Sequence, residues 1–296
     1  MKYLVTGGAG FIGSNIALAL EKEGDEVTVI DNFSTGIKYN LKNFKGKTLN
    51  IDISKPFTLS EKFDAIFHEA AITDPRFSDD TETLRQNIVS FDNILKIAID
   101  TKAKLIYASS ASLYGNGHSP QKENQKKDLQ SAYAKSKLMI DSLAENYFDK
   151  MHIVGLRYFN VFGPGEEHKG RPSSMIYHLA KQMKEGHRPK IFEFGEQKRD
   201  HIYVKDCVTA NLSALTSKSG IYNVGTGVGE DFNMLVKTLN EVLKKDLKPE
   251  YIKNPYGKNY QVDTCADTTK AEKELKFKAK YSLKEGIADY MKVIRL

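Results

Sequence analysis

The stretch "KYLVTGGAGFIGSNIALALEKEGDEVTVID", residues 2–31, limits the possible folds of this chain more than any other. A compact apolar run (2–7) leads into a turn holding Gly7, Gly10 and Gly13. A helical pattern (12–24) follows, and a second apolar run (26–31) closes on Asp31. The same rhythm continues downstream. "DAIFHEA" (64–70), "AKLIYASS" (103–110) and "HIVGLRYFN" (152–160) read as strands. "ETLRQNIVSFDNILKIAIDT" (82–101) and "AYAKSKLMIDSLAENYF" (132–148) read as helices. Short apolar runs alternating with amphipathic helices predict an α/β chain with a doubly wound parallel sheet covered on both faces.

Beyond about residue 160 the rhythm becomes irregular. "GPGEEHKGRPSS" precedes a helix near 174–185, and shorter elements follow. The expected division is a dinucleotide-binding domain over 1–162, joined by about 199–224. A smaller mixed α/β substrate lobe then takes about 163–198 and 225–296. Open α/β sheets bind ligands outside the carboxyl ends of their strands, so the loops at 7–13, 31–38, 70–74 and 109–115 are expected to line one crevice.

Composition excludes several classes of function. Of 296 residues, 40% are hydrophobic and 28% charged, the balance of an ordinary soluble globular protein. The net charge of +6 comes from lysines and acids interspersed along the chain, without a basic stripe carrying interleaved aromatics. That pattern points to an anionic small molecule rather than nucleic acid. No apolar run approaches the roughly 18–20 residues of a membrane span. A secretory pattern is absent from "MKYLVTGGAG", so the expected location is cytoplasmic. Cys207 and Cys265 have neither zinc spacing nor a disulfide pattern, and no metal site is expected.

The glycine turn carries the first chemistry. Glycines there allow a tight turn, close backbone approach to a pyrophosphate and tight helix–sheet packing, while the helix N-terminus offers N–H groups to the phosphates. Asp31 is placed to hold adenosine ribose hydroxyls and to repel a 2′-phosphate, which favours NAD. Lys38, close by in sequence, could neutralise that phosphate and favour NADP. Asp52 and Ile53 stand where a carboxylate accepts from the adenine amino group. Phe11, Ile12, Asn32, Ala70 and Ala71 fall in the crevice loops and complete the cofactor set.

"SAYAKSK" puts Tyr133 and Lys137 at i and i+4, on one face of a helix. A phenol with a pKa near 10 is a poor base at neutral pH. A neighbouring ammonium and an oxidised nicotinamide both favour the phenolate. Ser110, in "YASSASLYG", can hydrogen-bond the reacting oxygen of a substrate.

Together the glycine turn, Asp31, the serine segment and Tyr133-x-x-x-Lys137 resemble the extended short-chain dehydrogenase/reductase superfamily. The resemblance implies a Rossmann domain, a tightly held NAD(P), a nucleoside-diphosphate-sugar substrate and a homo-oligomer. Later segments narrow it. "LRYFNVFGPGEEHKG", "PKIFEFGEQKRDHIYVKD", "GIYNVGTG" and "YIKNPYGKNYQVDTCAD" resemble the ADP-L-glycero-D-manno-heptose 6-epimerase family, which supplies heptose for the lipopolysaccharide core.

Such an epimerase oxidises C6 and reduces it again from the other face. C6 is exocyclic, so rotation about C5–C6 presents that face and carries the oxygen away from the tyrosine. A second acid/base is then needed. By composition Lys169 reads as a solvated loop lysine; the resemblance assigns it that second role. It further implies that Asn160, His178, Phe192, Arg199 and Tyr260 contact the nucleotide sugar, with Arg199 clamping the pyrophosphate, and that Asn87 sits near the nicotinamide; Arg171, just past Lys169, is expected at the same substrate. Three segments depart from the family: "DNFSTG" after the second strand, Asp74-Pro75, and Arg171-Pro172. The first is closer to NAD-using C4 epimerases of UDP-hexoses, an alternative that leaves Lys169 without a role. A silent dinucleotide-binding regulatory protein is the non-enzymatic alternative, although Ser110, Tyr133 and Lys137 are all present.

Overall fold

The computed structural model describes residues 1–73, 79–255 and 261–294. Chain order begins β1 (Lys2–Thr6), α1 (Phe11–Lys22), β2 (Glu26–Asp31), β3 (Lys47–Asn50), β4 (Ala65–His68), α2 (Asp80–Thr101), β5 (Lys104–Ser110), α3 (Ala132–Glu145) and β6 (Ile153–Tyr158). It continues with β7 (Asn160–Phe162), α4 (Met175–Lys184), β8 (Lys190–Phe192), β9 (Lys198–Arg199), β10 (His201–Tyr203), α5 (Val204–Ala214) and β11 (Gly220–Val224). The chain closes with β12 (Glu230–Asp231), α6 (Phe232–Leu243), β13 (Glu250–Ile252), β14 (Asp263–Thr264) and α7 (Leu283–Val293).

Seven strands form one parallel sheet in the order β11-β6-β5-β4-β1-β2-β3. The order reverses between β1 and β4, which opens a crevice at their carboxyl ends. Parallel strands covered on both faces must be apolar throughout, and β4 and β6 are buried at every position. Two apolar layers flank the sheet. Ile16, Leu20, Cys207 and Ala210 pack on one face; Phe91, Ile94, Leu95 and Ile140 pack on the other.

The five apolar runs read from sequence are strands here, and the four helical stretches are helices. The late chain forms short pairings instead of a second large sheet: β7 with β10, β8 with β13, and β9 between β12 and β14. Around them α4, α6 and α7 bury Leu179, Met183, Leu235, Leu239, Ile287 and Tyr290 in a separate core. Asn15 joins the two parts by donating to the Pro164 carbonyl at 2.8 Å.

Candidate active site

The glycine turn is shaped by close approach. Gly7 has φ +65°, and a Cβ there would come within 2.7 Å of the Ala70 backbone. A Cβ on Gly13 would lie 2.3 Å from the Gly7 carbonyl oxygen. Any larger residue would push the N-terminus of α1 away from β1. At the end of β2 the Asp31 carboxylate accepts from Ala9 N at 2.9 Å and Phe33 N at 2.8 Å. It is thereby fixed beside the turn. A dinucleotide fits this arrangement: a glycine cradle for the pyrophosphate, α1 N–H groups behind it, and an anchored carboxylate for a ribose.

A crevice of about 630 Å³ runs from this turn across the carboxyl ends of β1, β2, β4 and β5. Gly7, Gly10, Phe11, Ile12, Gly13, Asp31, Asn32, Asp52 and Ile53 line it. So do Ala70, Ala71, Asn87, Ser110, Tyr133, Lys137 and Lys169. Residues from eight separate sequence segments therefore meet in one cavity, and the lysine of the "HKG" loop is among them.

Helix α3 delivers Tyr133 and Lys137. Its N-cap Ser131 accepts from Ala134 N at 3.1 Å, which sets where the helix begins. Ala134 and Ser136 are buried and small, allowing close approach to the sheet. Lys137 is 1% exposed and donates to the Ala108 carbonyl at 2.7 Å. Its Nζ lies 5.8 Å from the centroid of the Tyr133 ring. Asn87 donates to Ser136 Oγ at 3.0 Å and exchanges hydrogen bonds with the Ile72 backbone, fixing the loop after β4 against α3.

The electrostatics differ from the simple expectation that Lys137 lowers the Tyr133 pKa. Burial pushes the Tyr133 phenol up to about 12, with Glu69 and Asp141 adding to the rise. Among the described residues, a hydrogen bond with Ser110 works against it. Burial also pulls Lys137 down to about 8, opposed by Glu69 and Asp141. With burial the dominant effect on the phenol, the protein alone leaves Tyr133 protonated at neutral pH.

Lys169 ends a 3-10 turn, Glu167–Lys169. Its Nζ stands 5.4 Å from the centroid of the Phe11 ring. Burial lowers its pKa, and the nearby Glu166 carboxylate opposes that shift. Glu166 is fully buried and accepts from Gly163 N at 3.1 Å and Ser174 Oγ at 2.8 Å. It ties the loop to the start of α4, so Lys169 is held rather than solvated.

Other expected site residues lie away from this cavity's lining. Lys38 is exposed, its Nζ 5.9 Å from the Phe33 ring centroid. Asn160 spends its amide protons on the Asp200 carbonyl at 3.1 Å and Thr264 Oγ1 at 3.0 Å. His178 pairs a ring nitrogen with the carbonyl of exposed Arg171 at 3.2 Å. Phe192 ends β8 and is half-buried. Arg199 is buried, donates to the Lys198 and Gln261 carbonyls, and lines a second cavity of about 220 Å³ with His201. Tyr260, Asp74 and Pro75 lie outside the described residues.

Among the residues of the main crevice that sequence reasoning passed over are Glu69, Tyr158 and His168. Glu69 had a signal. It is an acid set directly after a fully buried strand, in "IFHEAA".

The NAD dependent epimerase/dehydratase family matches residues 3–225. The chain is 40% identical to the ADP-L-glycero-D-manno-heptose-6-epimerase of Brachyspira hyodysenteriae, over 98% of this chain and 97% of that one. The crystal structure of Helicobacter pylori ADP-L-glycero-D-manno-heptose-6-epimerase superposes with a TM-score of 0.93 at 38% identity, covering 98% of this chain and 95% of that one. The Thermotoga maritima UDP-glucose 4-epimerase structure, with UDP-glucose, gives 0.88 at 29% identity, covering 99% and 98%.

Proposed function

The chain belongs to the NAD dependent epimerase/dehydratase family, and from that premise we propose that it inverts C6 of ADP-D-glycero-D-manno-heptose to supply lipopolysaccharide core heptose. One observation carries the reading beyond the family: Lys169 shares the crevice with Ser110, Tyr133 and Lys137 instead of lying on the surface. An enzyme that flips a whole sugar ring to one tyrosine has no use for a second acid/base there.

A bound nicotinamide would supply reversible two-electron oxidation and reduction of the carbinol carbon. Gly7, Gly10, Phe11, Ile12 and Gly13 would cradle its pyrophosphate, and Asp31 and Asn32 its adenosine ribose. Asp52, Ile53, Ala70, Ala71 and Asn87 would complete the wall. The anchored Asp31 carboxylate favours an unphosphorylated ribose, and exposed Lys38 lies over Phe33 and outside the crevice lining, so NAD is the proposed cofactor. A dissociation constant for NADP below that for NAD would contradict this choice.

Tyr133, as phenolate, takes the C6 hydroxyl proton while Ser110 holds the oxygen and Lys137 holds the nicotinamide ribose. After rotation about C5–C6, the Lys169 ammonium returns a proton to the oxygen on the new face. Proton transfer by a positioned side chain is worth about 10²–10⁴-fold. The lobe residues Asn160, Arg171, His178, Phe192, Arg199 and Tyr260 are proposed to hold the nucleotide sugar. For Asn160 the sugar contact would run through Oδ1, since its amide protons are engaged within the protein.

The test is proton NMR of the purified protein with ADP-D-glycero-D-manno-heptose, beside UDP-glucose and UDP-galactose. Conversion of the heptose alone to its C6 epimer is the expected result. Conversion of a UDP-hexose instead would make this a C4 epimerase and return Lys169 to a structural role.

A further inference from the structure

Two acid/base groups acting in sequence leave a proton imbalance. The electron pair taken from C6 returns to C6, so it leaves no net change. The hydroxyl proton ends on Tyr133, and the proton that replaces it comes from Lys169. After each inversion in one direction Tyr133 is therefore one proton richer and Lys169 one poorer. Before the next, a proton must leave Tyr133 and another must reach Lys169.

Among the described residues, three carboxylates line the crevice: Asp31, Asp52 and Glu69. Asp31 is anchored to the Ala9 and Phe33 amides at the end of β2. Asp52 is engaged with Ser54 and Lys55. Glu69 stands elsewhere, at the carboxyl end of β4, where the crevice wall also carries Tyr133, Lys137 and Tyr158. The Tyr158 hydroxyl donates to Glu69 Oε1 at 3.0 Å, and Asn211 Nδ2 donates to the Tyr158 oxygen at 2.7 Å. The carboxylate is thus held from behind by a neutral relay, and among the described residues the hydrogen bond it accepts comes from a phenol and not from a guanidinium.

Resting on the proposed two-base reaction, we propose that Glu69 receives the proton that accumulates on Tyr133 and releases it to solvent between turnovers. Tyr133 returns to phenolate as Glu69 becomes the neutral acid. Glu69 then ionises to water at the crevice mouth, and Lys169 takes one proton from water. No oxidant or further reactant is consumed. Among the described residues, the groups that act on Glu69 are the Tyr158 phenol on β6, Tyr133 and Lys137 on α3 and the Cys207 thiol on α5, while His68 precedes it in the chain at the end of β4. Burial raises the Glu69 carboxyl to about 7, with Lys137 and the Tyr158 hydrogen bond opposing that rise, so it can hold or lose a proton at working pH. His68 is pulled down to about 3 by burial and stays neutral; burial keeps the Cys207 thiol protonated.

The test is Glu69→Gln, which keeps the shape and removes the exchangeable proton. Resetting the free enzyme limits kcat but not kcat/KM, so the substitution should lower kcat and KM together by about tenfold or more and leave kcat/KM within about twofold. Small carboxylate or imidazole buffers should restore kcat in the variant and leave wild type unchanged. A merely structural residue would lower kcat/KM and ignore buffer. A second measurement is independent of the sugar. Infrared difference spectra of the purified protein should show a protonated-carboxyl band that titrates near neutral pH in wild type and is missing from Glu69→Gln. Its absence from wild type overturns the role of Glu69, as does a variant whose kcat/KM falls with kcat. If wild type leaves the heptose unchanged, the substrate reading fails, and the infrared titration still decides whether Glu69 exchanges protons.

Discussion

Tyr133 shows how little of a side chain's chemistry lies in the side chain. Buried beside Glu69, its phenol is pushed up to about 12, so in the protein alone it is a hydroxyl at neutral pH. The missing positive charge is the one an oxidised nicotinamide brings. Saturation with NAD⁺ should therefore lower the Tyr133 pKa by about two units or more, while NADH should not. Ultraviolet difference titration of wild type against Tyr133→Phe measures this directly. An unchanged phenol on NAD⁺ binding would mean another group takes the proton. Lys169 shows the same dependence on surroundings. Its sequence neighbours read as a charged loop, but the buried Glu166 carboxylate ties that loop to Gly163 and Ser174, and Lys169 lines the crevice.

Helix α3 carries Tyr133 and Lys137, and one further turn along it carries Asp141. The Asp141 carboxylate accepts from Arg157 Nε at 2.9 Å, Tyr107 Oη at 3.0 Å and Ser109 Oγ at 3.1 Å. Arg157 also donates to Tyr114 Oη at 3.0 Å, so β5, β6 and the loop after β5 are all tied to α3. Both charges are almost fully buried. Removing one partner of such a pair leaves the other unpaired, so Asp141→Ala should destabilise the protein by about 3–5 kcal/mol in denaturant melts. A loss under about 1 kcal/mol would show that the network does not hold α3. Five of the seven sheet strands and helices α1 to α4 were legible in sequence because their patterns are strong and local: β1 and β2 read as continuous apolar runs, and the glycine turn between them marks the helix start, whereas β3, β11 and α5 were not marked out. The short pairs β8–β13 and β9–β14 were not, since two- and three-residue strands carry no period and their partners lie far apart in sequence. For the same reason the residues proposed to hold the cofactor could be picked out from spacing, and most of them line the crevice. The buried surroundings of Glu69, and the carbonyls that engage Arg199, depend on contacts between distant segments.

At the scale of the whole molecule, one crevice gathers the glycine turn, α3 and the "HKG" loop, and the last of these also contacts the sheet domain. Asn40 donates to the Gly165 carbonyl at 3.3 Å, bridging the loop after β2 to the loop that ends in Lys169. Cofactor binding should therefore stabilise the entire chain. At about 100 times its dissociation constant, NAD adds about 2.7 kcal/mol, a rise in Tm of several degrees for a chain of this size. Gly13→Val should abolish that rise, because its side chain would collide with the Gly7 carbonyl. An equal rise in the variant would place the dinucleotide elsewhere. The measurement that bears most directly on the two-base account is proton NMR of Lys169→Met with ADP-D-glycero-D-manno-heptose, cofactor absorbance being followed in the same sample. The account predicts that C6 inversion falls at least about a hundredfold while NAD stays bound and is still reduced by the sugar, because Tyr133 remains able to take the first proton. Inversion at the wild-type rate would contradict it, and would leave Tyr133 as the acid/base for both faces.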